Sequence, residues 1–585
     1  MTDTTITLQP SGRSGTVTVT ASADLFSVAD VGRALAVRDL CDARAAATLY
    51  GTGAVWYANY ANVFRLYRVL AGGTTAAYSS SGTTPDYDLN APHETGWDVR
   101  DGSAVLKYLG EGKHAWGYGR ITAVADATHA TVVVEPKAPF VATGASLRWK
   151  LGAWNDDQGW PATCTFHEAR LWFGGNRKQP QTLWGSSTDD FQGFAPYDPD
   201  GTVLDTHAIT VSVEADQANT IRWMSSFQRG LAIGAASAEF TLEPLNSNSA
   251  LSPINIRAKL QGDRGSQVSV AQQRSNGVVL FVQRGGRVVR QLEYDWSTDS
   301  MTSMDITQLS DHIAGARFVE TAMQTSPSGF LWALRSDGVL ACLTYDREQK
   351  VRAWTRHLIS GTDAAVESVD VMPNPTGTAD DIYLVVRRTV NGQVVRHIEF
   401  IAEPFRSEIT DADDAVFTDA SLTYSGTTAV SGVAGLDHLE GETVDVLADG
   451  SVRARQVVSG GKVAVSGPAA KTVTVGLPVT GRITTMPIEA AAAAGTAQGQ
   501  AKRIARVTLR LLDSGPCIFG FGEHFDQLSL RTTDEAMDTA VPLFTGDQRV
   551  LWPKGWDRLG QMTIETSAPL PLTVLAIVSE VQTNG

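Results

Sequence analysis

The side chains able to do chemistry in this sequence are few, and their spacing does not favour it. His167-Glu168 opens like the H-E-x-x-H pattern, in which two histidines one helical turn apart hold zinc, but Leu171 stands where the second histidine is needed. Gly112-Lys113 and Gly461-Lys462 lack both the earlier glycine and the following Ser or Thr of a phosphate-cradling loop. No G-x-S-x-G elbow is present, so none of the ten histidines is singled out as the base of a nucleophilic triad. Carboxylates cluster at Asp156-Asp157, Asp380-Asp381 and Asp411-Ala412-Asp413-Asp414. A glycosidase needs two carboxylates about 5–10 Å apart across a cleft, which adjacency in sequence does not supply. Solvated turn residues are the expected role for all three clusters, with Ca²⁺ binding the alternative. Cys41, Cys164, Cys342 and Cys517 form no C-x-x-C pair, so they are expected to be buried free thiols of a protein made in a reducing cytosol. The expectation is a chain with no catalytic, cofactor-binding or metal-ligating residues, and not an enzyme.

Binding chemistry is also thin. Trp56, Tyr57, Tyr60, Tyr67, Tyr78, Tyr87 and Trp97 lie in a stretch rich in Gly, Ser and Thr from 51 to 102, where they read as the core of a small module, with a sugar-stacking surface as the alternative. Basic residues gather at Lys502, Arg503, Arg506 and Arg510 and at Arg284, Arg287 and Arg290. Residues three apart on a strand fall on alternating faces, so a solvated or intersubunit role is expected rather than DNA readout. Lys plus Arg number 48 against 63 Asp plus Glu, a net charge of -15. That sign argues against wrapping nucleic acid by neutralising phosphates, but suits a wall past which a like-charged polymer slides without sticking. Met1 to Thr5 shows neither a basic nor an apolar leader region, and the apolar run from Pro569 to Val578 is about half a membrane span, so neither secretion nor membrane insertion is expected.

The elements that would carry these residues are strands. Short alternating runs bounded by Gly, Asp, Asn or Ser recur throughout, giving a mainly β chain. Thr16-Val17-Thr18-Val19-Thr20 reads as a strand, Asp24 to Asp30 as a helical turn capped by Asp24, and Arg33 to Arg38 as a second strand. Ile121 to Val124 and Ala130 to Val134 resume the pattern and are expected to pair back with those first strands. From Trp160 onward an apolar strand, a turn and usually a second strand recur. Taking Leu171, Leu231, Leu280, Leu331 and Tyr383 as equivalent gives spacings of 60, 49, 51 and 52 residues. Such intervals suit the four-stranded blades of a β-propeller, and Gly285-Gly286, Asp337-Gly338 and Asn391-Gly392 are the pairs that hairpin turns with positive φ require. A β-sandwich of accidental regularity is the alternative. Beyond Pro404, strands such as Thr443 to Leu447, with Asp449-Gly450 as turn, and Ile504 to Leu512 belong to one or two further β domains, and Ala-rich Ile488 to Gln500 has helical propensity. The reading is a mainly β chain: an N-terminal β domain over 1–150 with an insertion at about 41–111, a central β-propeller-like repeat domain over 151–405, and C-terminal β-barrel or sandwich domains over 406–585.

A set of ordered motifs adds a resemblance. Trp154-Asn155-Asp156-Asp157-Gln158-Gly159-Trp160-Pro161, then Thr165 to Gly175 (TFHEARLWFGG) and Pro180 to Ser187 (PQTLWGSS), resemble the tail nozzle proteins of short-tailed bacteriophages, also called tail tubular protein B. So do Phe281 to Arg290 (FVQRGGRVVR) with Tyr294-Asp295, Leu334 to Leu340 with Leu343-Thr344-Tyr345, His438-Leu439-Glu440-Gly441 and Val475-Gly476-Leu477-Pro478. The likeness runs from about 11 to 512. It implies a structural, non-enzymatic virion protein, made in the bacterial host cytoplasm and assembled into the tail. It also implies a homo-hexameric ring at the distal tail, stacked on an adaptor ring, carrying tail fibres or tip proteins, with a propeller in each subunit. Double-stranded DNA would pass through the ring during ejection without sequence-specific binding. The chain starts almost at the Thr16 to Thr20 strand, where family members carry an N-terminal segment, so the adaptor-docking platform is expected to be lost, truncated or supplied by another protein. The rival readings are a host-surface polysaccharide-binding adhesin and, behind it, a propeller glycosidase.

Overall fold

Alternation decides the first sheet. In β1 (Thr16–Ala21) Val17, Val19 and Ala21 are buried while the threonines face out. β2 (Ala34–Leu40), β3 (His114–Asp126) and β4 (His129–Val134) join it in the order β1-β4-β3-β2, so the strands on either side of the insertion do pair back on one another within a six-stranded sheet. Val17, Val19, Leu35, Val37, Ile121, Val132 and Trp149 make its core. The computed structural model describes residues 5–60, 63–76, 98–136, 138–197, 203–214, 219–227, 230–246, 249–297, 300–405, 412–489, 496–531, 535–536, 539–540 and 542–584. These fall into two compact units, divided between Leu309 and Ser310, inside the span of the repeat.

The helical turn before β2 is a single 3₁₀ turn, Val28–Asp30, and its cap is Ser27 rather than Asp24: Asp30 Oδ2 accepts the Ser27 N–H at 2.9 Å. Asp24 sits too early, because the N–H groups of Leu25 and Phe26 are already bonded to the Ala127 carbonyl. Five strands, Asp42–Ala43, Val55–Tyr60, Val63–Ala71, Asp98–Asp101 and Ala104–Glu111, form a separate sheet. Trp56, Tyr67 and Tyr108 are its buried core, with ring centroids 5.2 and 5.5 Å apart along that series, so these aromatics pack inward. Tyr78, Tyr87 and Trp97 lie outside the described residues.

The repeat follows as a series of antiparallel meanders. In the first unit, sheet 1 holds β5 (Thr163–His167), β6 (Arg170–Gly174), β7 (Thr182–Gly185) and β8 (Ile209–Ser212). Sheet 2 holds β9 (Ile221–Phe227), β10 (Gly230–Ala235), β11 (Glu239–Glu243) and β12 (Arg257–Gly262). Sheet 3 holds β13 (Gln273–Ser275), β14 (Val278–Val282), β15 (Val289–Asp295) and β16 (Ser300–Asp305). In the second unit, sheet 4 holds β17 (Phe318–Gln324), β18 (Phe330–Arg335), β19 (Leu340–Asp346) and β20 (Val351–His357). Sheet 5 has three strands, β21 (Ala365–Pro373), β22 (Asp380–Val390) and β23 (Gln393–Phe400). Leu171, Leu231, Leu280, Leu331 and Tyr383 each sit on the second strand of their sheet, but Leu231 faces the preceding sheet whereas Leu280 and Tyr383 face away from theirs, so the spacing marks the strand and not one position on it.

Neighbouring sheets pack face to face. Trp172 and Leu183 of sheet 1 share a core with Met224, Leu231 and Phe240 of sheet 2. Trp223 of sheet 2 meets Phe281 of sheet 3 at 5.4 Å, and Trp332 and Leu340 of sheet 4 pack with Ile382 and Leu384 of sheet 5. The first strands lie side by side, β5 along β9 and β17 along β21. This is the arrangement of propeller blades, whose innermost strands gather at an axis. The fold is mainly β, with a propeller-like repeat flanked by further β domains.

Turn chemistry matches in detail. Asn391-Gly392 (φ 47° and 73°) and Asp449-Gly450 (45° and 69°) are left-handed at both positions, as is Gly285-Gly286, whereas at Asp337-Gly338 only the glycine is. An exception is the β5–β6 turn, where Glu168 (φ 48°) and Ala169 (φ 54°) take the same conformation without glycine. A left-handed L-residue costs about 1–2 kcal/mol, against about 0.5–1 kcal/mol for the extra freedom of an unfolded glycine. Ala169→Gly is therefore expected to raise stability by about 0.5–1 kcal/mol in urea denaturation; a loss would show that the turn is held on other grounds.

The C-terminal region is built from β24 (Thr418–Val430), β25 (Thr443–Ala448) and β26 (Ala470–Pro478) in one sheet, over Val444, Val446, Val473 and Val475. A sandwich follows, in which β27 (Ala501–Ser514) lies between β28 (Phe544–Leu551) and β29 (Thr573–Asn584). Ile504, Val507, Leu509 and Leu511 of β27 pack against Phe519 and Ile564 of the facing sheet. The described parts of the Ala-rich stretch, Ile488–Glu489 and Thr496–Gln500, are not helical; Ala490 to Gly495 lie outside the described residues.

Candidate functional site

A propeller-like repeat concentrates its addressable surface where the innermost strands meet, and here those strands are stitched by side chains. His167, at the end of β5, bonds through Nδ1 to Ser226 Oγ of β9 at 2.9 Å. Gln272 donates to the Met224 carbonyl at 2.6 Å, and Arg274 of β13 donates to the Ser226 carbonyl at 3.1 Å. In the second unit, Glu320 of β17 accepts Ser368 Oγ and the Val369 N–H of β21, both at 3.1 Å. These side chains tie each inner strand to its neighbour.

His167 and Glu168 are the pair that resembles a zinc motif. The histidine is buried, its Nε2 has no hydrogen-bond partner and stands 3.9 Å from Glu168 Oε1. Glu168 is anchored elsewhere, its Oε2 accepting the Leu251 N–H at 2.7 Å. A serine, a histidine and a carboxylate are thus close, but the serine hydroxyl bonds Nδ1, the carboxylate serves a loop, and the histidine sits among packed strands. Among the described residues no three of His, Cys, Asp or Glu are placed to hold a metal ion. A recess lined by Lys502, Ile504, Trp552, Lys554 and Asp557 is too narrow to hold a ligand.

The acidic clusters serve turns. Asp380 Oδ2 accepts the Thr325 and Ser326 N–H groups at 2.7 and 2.9 Å, Asp156 Oδ1 accepts the Trp160 indole at 3.1 Å, and Asp413 and Asp414 lie in a 3₁₀ turn. Asp411 is outside the described residues. The basic cluster on β27 is partly internal. Lys502 is buried and donates to the Arg558 carbonyl at 3.0 Å, which corrects the expectation of solvation at that position, while Arg510 pairs with Asp547 at 2.7 and 2.9 Å. Arg506 and Arg549 face Glu580, leaving the row close to neutral. Of the second set only Arg290 is on a strand; Arg284 and Arg287 lie on the β14–β15 turn. Burial pushes the Cys41 and Cys342 thiols up to about 12 and that of Cys517 to about 11. Cys164, expected to be buried, is exposed, because the alternation of β5 turns it outward with Phe166.

Sequence reasoning missed Arg170. It is buried beneath sheet 1, with its guanidinium donating to the carbonyls of Ser186, Asp205 and His207, each at 2.6 Å. An arginine beside an Ala-containing left-handed turn carries no pattern that marks it as internal.

His167 titrates low. Burial is the cause and outweighs the opposing pull of Glu168. Its folded value lies below the ordinary 6.5, so the unfolded chain takes up a proton first as pH falls past that value. The stability this contributes is expected to be fully present above pH 6.5 and to decline below it. Thermal melting at pH 7.5 and 6.0 checks this, with His167→Gln flattening the decline; a midpoint independent of pH in that window would refute it.

No protein-family model matches the chain, and no curated protein matches it. Among solved structures it is similar to a luciferin-regenerating enzyme at 11% identity, over 38% of this chain and 83% of that one, with a TM-score of 0.18. It is similar to a proposed 6-phosphogluconolactonase from Bacteroides uniformis ATCC 8492 at 10% identity, over 63% and 99%, with a TM-score of 0.25. A protein from Lactobacillus plantarum matches at 11% identity, over 68% and 99%, with a TM-score of 0.23. At these scores the likenesses carry no argument about activity, and the account of the fold rests on the sheet order and packing described above.

Proposed function

We propose that this chain is a structural subunit of the tail nozzle of a short-tailed bacteriophage, acting without catalysis as part of a ring-shaped conduit for DNA ejection. The observation that carries the reading is the ordered motif set. Three of its members fall on turns of the repeat: TFHEARLWFGG spans β5, its strained turn and β6, FVQRGGRVVR spans the β14–β15 turn, and Leu334 to Tyr345 spans the β18–β19 turn; His438 to Gly441 and Val475 to Pro478 lie in the C-terminal region. The net charge of -15 supports low-adhesion passage of a polyanion, since a like-charged wall repels it. The side-chain bonds that tie inner strands to one another, such as His167 to Ser226 and Glu320 to Val369, support a building role over a binding one. In this reading the partners are further copies of the chain in a hexamer, an adaptor ring on the capsid side, and fibres or tip proteins outside.

The test is location. Antibody labelling of virions against this chain, with negative-stain imaging, is expected to mark a ring at the distal tail. Label at the periphery on trimeric appendages, with glycan-array binding by the purified chain, would replace the nozzle with an adhesin.

A further inference from the structure

The β5–β6 turn holds a buried imidazole with one nitrogen idle. His167 is 8% exposed; its Nδ1 bonds Ser226 Oγ at 2.9 Å, whereas Nε2 has no hydrogen-bond partner among the described residues. Its backbone is held as well, because the His167 carbonyl accepts the Trp172 indole N–H at 3.3 Å. A buried polar atom left without a partner costs free energy, so its persistence calls for a reason. Glu168 Oε1 stands 3.9 Å from Nε2, too far for a hydrogen bond but within reach of a side-chain rotation.

Glu168 is the movable member of the pair. Its side chain is 35% exposed, and its backbone takes the left-handed conformation (φ 48°) that a glutamate seldom adopts. Strain of this kind persists where the surroundings over-determine it. Here the Ala169 carbonyl accepts the Asp189 N–H at 2.9 Å, and Glu168 Oε2 accepts the Leu251 N–H at 2.7 Å. The second bond reaches from sheet 1 to the connection between β11 and β12. Leu251 is buried in the core that sheets 1 and 2 share. Asn255 ties that connection to itself, donating to the Ala250 carbonyl and accepting the Asn246 N–H, and Ile254 is 72% exposed. Glu168 thus fastens a self-bonded loop to sheet 1.

We propose that His167 and Glu168 form a proton-operated latch: a proton taken up at His167 Nε2 draws the Glu168 carboxylate off the Leu251 N–H and releases residues 249–256 from sheet 1. A neutral ring offers the carboxylate no charge, and it stays on the amide. A charged ring has two donors; Ser226 Oγ satisfies one, and Glu168 is the anion in reach of the other. The remaining charged groups around the turn are committed. Arg170 on β6 serves the carbonyls of Ser186, Asp205 and His207, with Asp205 pulling on it, and Arg274 on β13 serves the Ser226 carbonyl. His207 accepts the Leu204 N–H through Nδ1. Among the described residues Glu168 is the charge that pulls on the imidazole, and burial opposes it, so the latch turns on the acid side of the ordinary imidazole range. The device concerns this turn and its loop, and does not depend on the nozzle reading.

Hydrogen exchange read by mass spectrometry on the full chain, corrected for the intrinsic effect of pH, tests it at pH 7.5 and 5.0. In the wild type, protection of residues 249–256 is expected to fall about tenfold or more at the lower pH, the scale of a lost bond to a charged group, while β10 keeps its protection. Glu168→Gln retains an acceptor for Leu251 but gives an imidazolium no anion. His167→Gln can still bond Ser226 but takes up no proton. In each variant, protection at 249–256 is expected to be the same at both pH values. Equal protection of the wild type at the two pH values would overturn the proposal. So would a loss that persists in either variant, or one shared equally by β10, which would mark a general loosening of the repeat.

Discussion

Asp101→Ala is expected to unfold the inserted five-stranded sheet, at a loss of about 3–5 kcal/mol, because it leaves the Arg44 guanidinium charged and sealed from water. The two side chains are fully buried and joined at 2.6 Å (Nε to Oδ2) and 2.8 Å (Nη2 to Oδ1). Asp101 also accepts the Ala76 N–H at 2.9 Å, and Arg44 donates to the Ala76 carbonyl at 3.0 Å, so one ion pair organises three segments of chain. Arg44→Met combined with Asp101→Leu removes both charges together and is expected to recover most of the loss, since a buried pair is dispensable where an orphaned charge is not. Urea denaturation and limited proteolysis between residues 42 and 111 read the effect. A loss under 1 kcal/mol in the single variant would refute the assignment.

Arg170→Met has the second largest expected effect, about 3–5 kcal/mol. Three carbonyls would lose a charged donor, that of Ser186 in the interior and those of Asp205 and His207 at its margin, and hydrogen bonds from charged groups are worth about 1.5–3 kcal/mol each. The variant keeps much of the volume, so the loss reports the hydrogen bonds rather than a cavity. Amide exchange should rise first at 186–197 and 203–207, the described parts of the β7–β8 connection that Arg170 holds; unchanged exchange there would show that the connection is held by its own packing.

What was legible in the sequence was legible because period and turn chemistry are local. Five second strands recurred at 49 to 60 residues, and Asn391-Gly392 and Asp449-Gly450 adopted the conformation their residue types require. The return of the strands after the insertion to those before it was also readable, since alternation resumed there, but which strand pairs with which was not. Ionised residues turned inward were not. Arg44, Asp101, Arg170 and Lys502 are charged types on short alternating segments, and their burial is fixed by partners up to 57 residues away. Nor could the three-stranded form of sheet 5 be read, because an unpaired edge and a paired one share the same alternation. Ser27 replaced Asp24 as the cap since long-range bonds to Ala127 held the preceding residues extended.

The stitches between inner strands have a mechanical consequence. Within each sheet, tension along a strand loads many backbone hydrogen bonds in parallel, so the sheet is stiff. Between sheets the load passes through isolated side-chain bonds such as His167 to Ser226 and Glu320 to Val369, and through interdigitated apolar faces. Under load the seams between sheets are therefore expected to yield before the ladders within them.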